Sequence, residues 1–380
     1  MHHLDNRRLA GLDTLRACAI LLVLMSHYAG FVSGSPTFGV LGRVGWAGVD
    51  LFFVLSGYLI GNQLLAPVAR GESLDLKTFF ARRLLRTLPN YYAVLAVYLL
   101  FPHAPFAGSG AAPLWQFLTF TQNVGLAYGQ TFTHSWSLCI EEQFYVVLPL
   151  AVLALARMRS VRLAWCVLAG AIILGMTLRG LAWVRDGHHF QAAEVYYSSW
   201  CRFDELLPGV ALAMLKHFHP ARFERILRHG NALFAAGLAS TVAVLTCMIR
   251  DLPGEFATTT FGFSLVAMGF ALLTGAALSP RSMLNRVHIP GAASLALWSY
   301  AVYLVHKPVF MALCSPLKDH GIDPGAPPVV LAVMGLGVSG GWLLYRLIET
   351  PFMRLRARWY PSCQRHAMRF PEKNEQYSRL

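Results

Sequence analysis

The sequence predicts an all-α fold, a polytopic bundle of about ten transmembrane helices with both termini in the cytoplasm. Residues of the AVILMFWYC set make up 56% of the 380-residue chain. Charged residues make up only 13%, about half the usual soluble share of roughly 25%. Mean hydropathy is +0.48, and apolar stretches of helix length recur along the whole chain. These observations exclude a disordered chain and argue against a soluble globular protein.

Ten apolar stretches approach the roughly 20 residues that a bilayer requires. They are 12–32, 45–65, 84–101, 138–156, 163–184, 201–216, 230–249, 258–278, 294–313 and 328–348. Residues 114–128 are a candidate for a short interfacial or re-entrant segment. The sequence therefore predicts a transmembrane domain over 1–353 and a basic cytoplasmic tail over 354–380.

The distribution of basic residues predicts the orientation of these spans. With the amino terminus inside, 23 of the 32 lysines and arginines fall in inner segments, 4 in outer loops and 5 within spans. The outer ones are Arg43, Arg185, Arg250 and Lys318. Topology thus explains the formal net charge of +13, and nucleic-acid binding is not needed. We expect contact with membrane lipids instead.

Ionisable side chains inside a bilayer are costly, so each one is a functional candidate. The predicted outer half holds His27, Asp50, Glu141, Glu142, Arg179, Arg202, Asp204, Glu205, His306 and Lys307. The predicted inner end holds Asp13, Arg16, Arg82, Arg83, Arg86, Arg346 and Glu349. Two groups at two depths suggest chemistry between two compartments. The seven scattered cysteines and the remaining histidines give no metal-ligand set.

The first span links the two depths. Arg16 and His27 are 11 residues apart, so they differ by only ~20° around the helix axis and by ~16 Å along it. An imidazole titrates near neutral pH, which makes His27 a candidate general base. The alternative is a packing histidine that hydrogen-bonds to a neighbouring helix.

The start of the fourth span carries two adjacent carboxylates. If the helix begins near Ser137, then Ser137, Glu141 and Tyr145 share one face at i, i+4 and i+8. A carboxylate there could orient an imidazole, stabilise the imidazolium or bind substrate hydroxyls. The alternative is a helix cap with an interfacial ion pair to Arg202 or Arg179.

Three arginines, Arg82, Arg83 and Arg86, cluster at the predicted inner interface. Guanidinium forks suit phosphates, so this cluster could hold the diphosphate of a nucleotide-like co-substrate. The alternatives are ordinary positive-inside anchoring and binding of anionic lipid headgroups.

Taken together, these segments resemble the integral-membrane acyltransferase-3 family of O-acyltransferases. Seven motifs in order carry the resemblance: Leu12 through His27, Gly48–Ile60, Phe79–Pro89, Trp136–Tyr145, Arg202–Asp204, Tyr303–His306 and Tyr345–Pro351. They cover nearly the whole membrane region. Each motif is weak alone, and their order along the chain makes the set specific.

The resemblance implies transfer of an acyl group, most often acetyl, from cytoplasmic acyl-CoA to a hydroxyl of a cell-surface or lipid-linked glycan. It implies that His27 is catalytic and favours Glu141 as a functional carboxylate, with Glu142 as its neighbour. It also implies that Arg16, Arg82 and Arg83 lie on the donor side. A bacterial inner membrane follows from the same resemblance.

Several points stay open at this stage. The short tail after Met353 leads us to expect the stand-alone form without a hydrolase-like domain. A rival hypothesis is an ion-coupled transporter or flippase that uses the intramembrane charges as a pathway. The acceptor is open between lipopolysaccharide, other polysaccharides, lipo-oligosaccharides and small metabolites. Direct transfer and an acyl-histidine intermediate are equally compatible with the sequence.

Overall fold

The computed structural model describes residues 10–250, 255–287 and 289–361, and all regular secondary structure in these residues is helical. The predicted fold class, a polytopic helical bundle, is therefore confirmed. The α-helices are α1 (Ala10–Tyr28), α2 (Gly39–Val44), α3 (Ala47–Ala69), α4 (Leu76–Leu100), α5 (Leu114–Thr119), α6 (Trp136–Arg157), α7 (Val161–Arg185), α8 (Ser199–Arg202), α9 (Leu207–Phe218), α10 (Pro220–Leu227), α11 (Gly230–Arg250), α12 (Phe263–Leu278), α13 (Met283–Arg286), α14 (Ala292–Asp319), α15 (Pro327–Leu344) and α16 (Thr350–Trp359).

Non-α turns extend or join several of these helices. A π-helical turn over Ala29–Ser33 continues α1, another over Thr258–Gly262 leads into α12, and Tyr345–Glu349 joins α15 to α16. A 3₁₀ turn over Thr133–Ser135 leads into α6. Turns of this kind are frequent at functional sites, because they shift the face on which side chains emerge.

Eight helical stretches in the described residues are long and apolar enough to cross a membrane. They match eight of the ten predicted spans: Ala10–Ser33, Ala47–Ala69, Thr133–Arg157, Val161–Arg185, Gly230–Arg250, Thr258–Leu278, Ala292–Asp319 and Pro327–Trp359. The predicted span over 84–101 lies in α4, which has 25 residues but carries the arginine cluster at its inner end. The count of ten stays a prediction.

A single helix over 201–216 was expected, and that prediction is wrong. The chain forms the short helix α8, then a 3₁₀ turn over Phe203–Leu206, then the 12-residue helix α9. Asp204 and Glu205 lie in the turn and are buried there. Asp204 pairs with Arg179 on α7, and Glu205 pairs with Arg202 on α8.

The predicted tail boundary after Met353 falls inside α16, which continues to Trp359. This helix packs against α4, and Arg82 donates a hydrogen bond to the carbonyl of Tyr360. The basic residues from 354 to 361 therefore belong to the folded bundle. Residues 1–9 and 362–380, with Arg7, Arg8 and the rest of the predicted tail, lie outside the described residues.

Helix α1 lies at the centre of the bundle and packs against α3, α12 and α14. Helix α3 packs in turn against α9, and α12 against α11. Helix α7 lies at the periphery, where only 6% of its most apolar stretch is buried. The helix that carries Arg16 and His27 is thus buried far more than α7, over 44% of its most apolar stretch.

At Gly57, where α3 crosses the start of α9, we expect that an added methyl group is not tolerated. A Cβ on Gly57 would lie 1.9 Å from the carbonyl oxygen of Leu206. Because that atom is backbone, the helices must separate, and we expect Gly57→Ala to destabilise the protein by about 1–3 kcal/mol. The apparent Tm of detergent-solubilised protein measures this loss.

Gly170→Ala is the matched control, because nothing lies within 4 Å of a Cβ at Gly170 on α7. We expect its Tm to be unchanged or raised, since alanine favours a helix over glycine. Equal Tm values for the two variants would contradict the close helix contact at Gly57.

Candidate functional site

A pocket of about 180 Å³ lies between α1, α3, α4, α6 and α14. Its charged wall residues are Arg16, Arg83, Arg86, Glu141 and Glu142, and we call it the arginine pocket. Its polar wall residues are Ser56, Gln63, Thr87, Ser137, Tyr145, Ser299, Tyr300 and Tyr303. Arginines predicted at the inner end and carboxylates predicted in the outer half therefore share one cavity.

Helix α6 supplies the carboxylate side of the arginine pocket. It begins at Trp136, so Ser137, Glu141 and Tyr145 face the pocket together, as their spacing predicts. Glu141 accepts hydrogen bonds from the Ser56 hydroxyl at 2.8 Å and from the Tyr145 hydroxyl. The alternative in which these carboxylates pair with Arg202 or Arg179 is wrong.

The guanidinium side of the pocket comes from α1 and α4. The Arg83 guanidinium lies 3.8 Å from the centre of the Tyr145 ring, and its Nε is buried without a hydrogen-bond partner. Within the described part of the chain, Arg16, Arg83 and Arg86 take part in none of the ion pairs. Three cationic groups thus face a cavity with hydrogen-bonding capacity left over.

Arg82 does not belong to this group, although the sequence places it next to Arg83. Adjacent residues on a helix point about 100° apart. The Arg82 side chain turns away from the cavity and donates to the carbonyl of Tyr360. Arg82 therefore forms a contact between α4 and the end of α16 and does not line the arginine pocket.

Three histidines form a second group, the histidine cluster of His27, His134 and His306. Nδ1 of His27 lies 2.5 Å from Nε2 of His306, and the two rings stack with centroids 4.9 Å apart. The His134 ring meets His306 edge-on at 5.6 Å. His134 and His306 are buried, whereas His27 is only half-buried. Among the three, His27 is the imidazole that a substrate can reach.

Hydrogen bonds assign the tautomers of the two stacked histidines when both are neutral. Nδ1 of His306 lies 3.0 Å from the carbonyl of Val302, and a carbonyl only accepts, so this nitrogen carries the proton. Nε2 of His306 then has a free lone pair and accepts from Nδ1 of His27. It follows that Nε2 of His27 presents an unprotonated lone pair.

Ser137 and Tyr303 connect the two groups, because both line the arginine pocket. The Tyr303 hydroxyl donates to the carbonyl of His134 and accepts from the Ser137 hydroxyl at 2.8 Å. The ring of Tyr303 lies 5.9 Å from that of His306. Tyr303 thus lies both on the wall of the arginine pocket and beside the histidine cluster.

This arrangement corrects one part of the two-depth assignment. Glu141 and Glu142 were expected at the depth of His27, where a carboxylate would orient its imidazole. The structure places both carboxylates in the arginine pocket, and the hydrogen-bond partner of His27 is His306. Arg16 lies on the wall of the arginine pocket, and His27 belongs to the histidine cluster. Helix α1 therefore contributes one residue to each.

The other intramembrane charges of the outer half form a separate, buried network. Arg179 pairs with Asp204 through two bonds of 2.6 and 2.9 Å, and Ser264 donates to the same carboxylate at 2.5 Å. Arg202 pairs with both Asp50 and Glu205. Both guanidiniums are fully buried, which makes them part of the scaffold.

Two inner-end candidates lie near the pocket without lining it. Glu349 is buried and accepts a hydrogen bond from Asn90 at 2.7 Å. Asp13 lies one turn before Arg16 on α1 and interacts with it electrostatically. Neither contacts the histidine cluster.

Tyr303 and His134 are two members of the site that sequence reasoning did not single out. Tyr303 precedes His306 by three residues, so helical spacing alone puts it on the same face. His134 stands two residues before the start of α6, and nothing in its own neighbourhood marks it. Its place in the cluster depends on the packing of the turn Thr133–Ser135 against α14, which no local pattern encodes.

Comparison with known proteins gives the following. A family model described as an acyltransferase domain matches residues 9–346. The peptidoglycan O-acetyltransferase OatA of Listeria monocytogenes is 28% identical over 90% of this chain and 55% of its own length. The putative peptidoglycan O-acetyltransferase YrhL of Bacillus subtilis is 29% identical over 92% and 55%, respectively. The O-acetyltransferase OatA of Staphylococcus aureus is 26% identical over 92% and 58%.

The chain therefore spans little more than half the length of these relatives. No solved structure matches it.

The buried pair of Arg179 and Asp204 predicts a large effect on stability. Asp204→Leu leaves a guanidinium uncompensated in the membrane interior, and we expect a loss of about 3–5 kcal/mol. The double variant Arg179→Met with Asp204→Leu removes both charges and should recover much of that loss. Thermal unfolding in detergent measures both. A double variant no more stable than Asp204→Leu would contradict the pairing.

Proposed function

Because the chain belongs to the family of membrane acyltransferase domains, we propose that it is an O-acyltransferase that moves an acetyl group from cytoplasmic acetyl-CoA to a hydroxyl of a glycan. The observation that carries the proposal is the His27–His306 pair, which Tyr303 connects to the wall of a cationic pocket. The names of the relatives, which are peptidoglycan O-acetyltransferases of bacteria, one of them putative, support a cell-surface glycan as the acceptor. A lipid-linked glycan and a bacterial inner membrane are part of the same proposal.

The donor side of the proposal is supported by the arginine pocket. Arg16, Arg83 and Arg86 offer guanidinium groups to the phosphates of CoA. The cavity volume of about 180 Å³ is below the roughly 300–1,000 Å³ of sites that enclose a drug-sized ligand. It suits an acetyl group and part of the pantetheine arm, with the nucleotide bound at the inner mouth. This favours acetyl over long acyl chains.

In the proposed reaction, Nε2 of His27 removes the proton from the acceptor hydroxyl. The hydroxyl oxygen forms a bond to the carbonyl carbon of the thioester, and the carbon–sulfur bond then breaks. The His27 imidazolium returns the proton to the departing thiolate, which leaves as the CoA thiol. His306 accepts the hydrogen bond from Nδ1 throughout and holds the ring in position.

Glu141 takes a different role from the one expected for it. It binds the hydroxyls of Ser56 and Tyr145, and Tyr145 in turn lies beneath the Arg83 guanidinium. We therefore assign Glu141 to positioning Arg83 for the donor rather than to polarising His27.

A covalent route would use the same nitrogen of His27 as a nucleophile. The two routes differ when no acceptor is present. An acyl-histidine intermediate releases one equivalent of CoA per enzyme in a burst, whereas direct transfer releases none beyond slow hydrolysis. Rapid mixing with acetyl-CoA and a thiol reagent therefore separates them.

The first test is His27-dependent thiol release from acetyl-CoA by the protein in nanodiscs. We expect His27→Ala to lower the turnover rate by about 10²- to 10⁴-fold, the range for loss of a general base. His306→Ala should also lower the rate, with little change in the KM for donor. Equal rates for wild type and His27→Ala would reject the base assignment.

Donor binding is measured in the same samples, because a missing acceptor would also prevent release. If the protein shows neither donor binding nor His27-dependent release, the result favours the transporter hypothesis over the acyltransferase. Donor binding without turnover would direct the search to the acceptor.

Two adjacent arginines give a matched test of the donor site. We expect Arg83→Ala to raise the KM for acetyl-CoA by about ten-fold or more, because a charge-assisted bond is worth about 1.5–3 kcal/mol. Arg82→Ala, one residue away and outside the pocket, should leave this KM nearly unchanged. Equal effects of the two substitutions would contradict the donor site described above.

A further inference from the structure

Lys307 follows His306 directly on α14 and is only 4% exposed. Its ammonium lies 5.0 Å from the centre of the Phe31 ring. Among residues 10–250, 255–287 and 289–361, no carboxylate forms an ion pair with it. Lys307 is therefore a buried cation without an anionic partner in the described protein.

The other buried cations of the outer half show how unusual this is. Arg179 and Arg202 are each bound by at least one carboxylate. A charge at membrane depth is costly unless an opposite charge or a water-filled cavity compensates it. Contact with the Phe31 ring compensates only part of this cost. An anion brought by a substrate would supply the opposite charge that the described residues do not provide.

The surroundings of Lys307 indicate which molecule brings the anion. The Phe31 ring lies 5.1 Å from the His27 ring and 5.0 Å from the Lys307 ammonium. The ammonium is thus no more than about 10 Å from the centre of the His27 imidazole. A hydroxyl at His27 and an anionic substituent at Lys307 fit within one or two sugar units. The donor phosphates, by contrast, belong with the arginines of the pocket.

We propose that Lys307 and Phe31 form a binding site for an anionic group of the acceptor, so that the enzyme selects acidic glycans. This inference rests on the acyltransferase function proposed above and names its substrate class. An ammonium is a compact point charge without the fork geometry of a guanidinium. It accommodates a sugar carboxylate or a sugar phosphate, and both belong in the test.

The test compares three probe sugars that differ at one carbon: methyl glucuronide, methyl glucoside 6-phosphate and neutral methyl glucoside. Binding to the full chain in phosphatidylcholine nanodiscs is followed by saturation-transfer NMR, so the readout does not need turnover. Zwitterionic lipid removes anionic headgroups as competitors. Thiol release from acetyl-CoA in the same samples reports separately on the acyltransferase function.

We expect wild type to bind at least one anionic sugar about ten-fold more tightly than methyl glucoside. The reason is that a desolvated charge pair between the sugar and Lys307 adds to the binding free energy. Lys307→Met keeps most of the apolar stem and should abolish this preference, whereas Lys307→Arg should retain part of it. Lys318→Met, at an exposed lysine near the end of the same helix, is the matched control and should bind like wild type.

Three outcomes would overturn the proposal. The first is the absence of any anionic preference in wild type, including no detectable binding. The second is a preference that survives in Lys307→Met. The third is a lower turnover rate in Lys307→Met with an unchanged preference, because that would assign Lys307 to the reacting carbonyl instead. If thiol release is absent but wild type still prefers anionic sugars and Lys307→Met does not, the acyltransferase function is rejected and the anion site is retained.

Discussion

The cost of a charge in a bilayer is the constraint on which this structure depends. Arg179 and Arg202 are fully buried, and their carboxylate partners come from α3 and from the turn before α9. Arg179 also donates to the carbonyls of Thr260 and Cys201. These bonds tie the peripheral helix α7 to the centre of the bundle. They also hold both carboxylates of the turn Phe203–Leu206 in buried positions.

The same constraint separates structural charges from functional ones. Charges that find partners within the protein belong to the scaffold, and breaking one pair costs stability. The arginines of the pocket and Lys307 take part in none of the ion pairs among the described residues, and in the proposed function their partners are the anionic groups of the substrates. In the proposed function, helix α1 carries Arg16 on the donor side and His27 on the acceptor side.

The sequence was sufficient for the fold class and for most members of the site. Hydropathy alone locates eight spans, and helical spacing correctly predicts that Ser137, Glu141 and Tyr145 share a face. What it could not supply is the depth and rotation of one helix against another. Glu141 therefore seemed to belong with His27, and Arg82 with Arg83. Adjacent residues on a helix point in different directions and so contact different helices. Only the packing of the helices decides which contacts each residue makes.

The use of a second histidine rather than a carboxylate to orient His27 follows from the membrane environment. A carboxylate at this position would add a buried negative charge that needs compensation in every resting state. A neutral imidazole accepts the same hydrogen bond without adding a charge, and the Val302 carbonyl fixes which nitrogen accepts. The arrangement also suits the proposed chemistry, because the proton taken from the hydroxyl ends on the CoA thiol. No proton then needs to reach bulk water, so His306 and His134 can remain buried throughout the reaction.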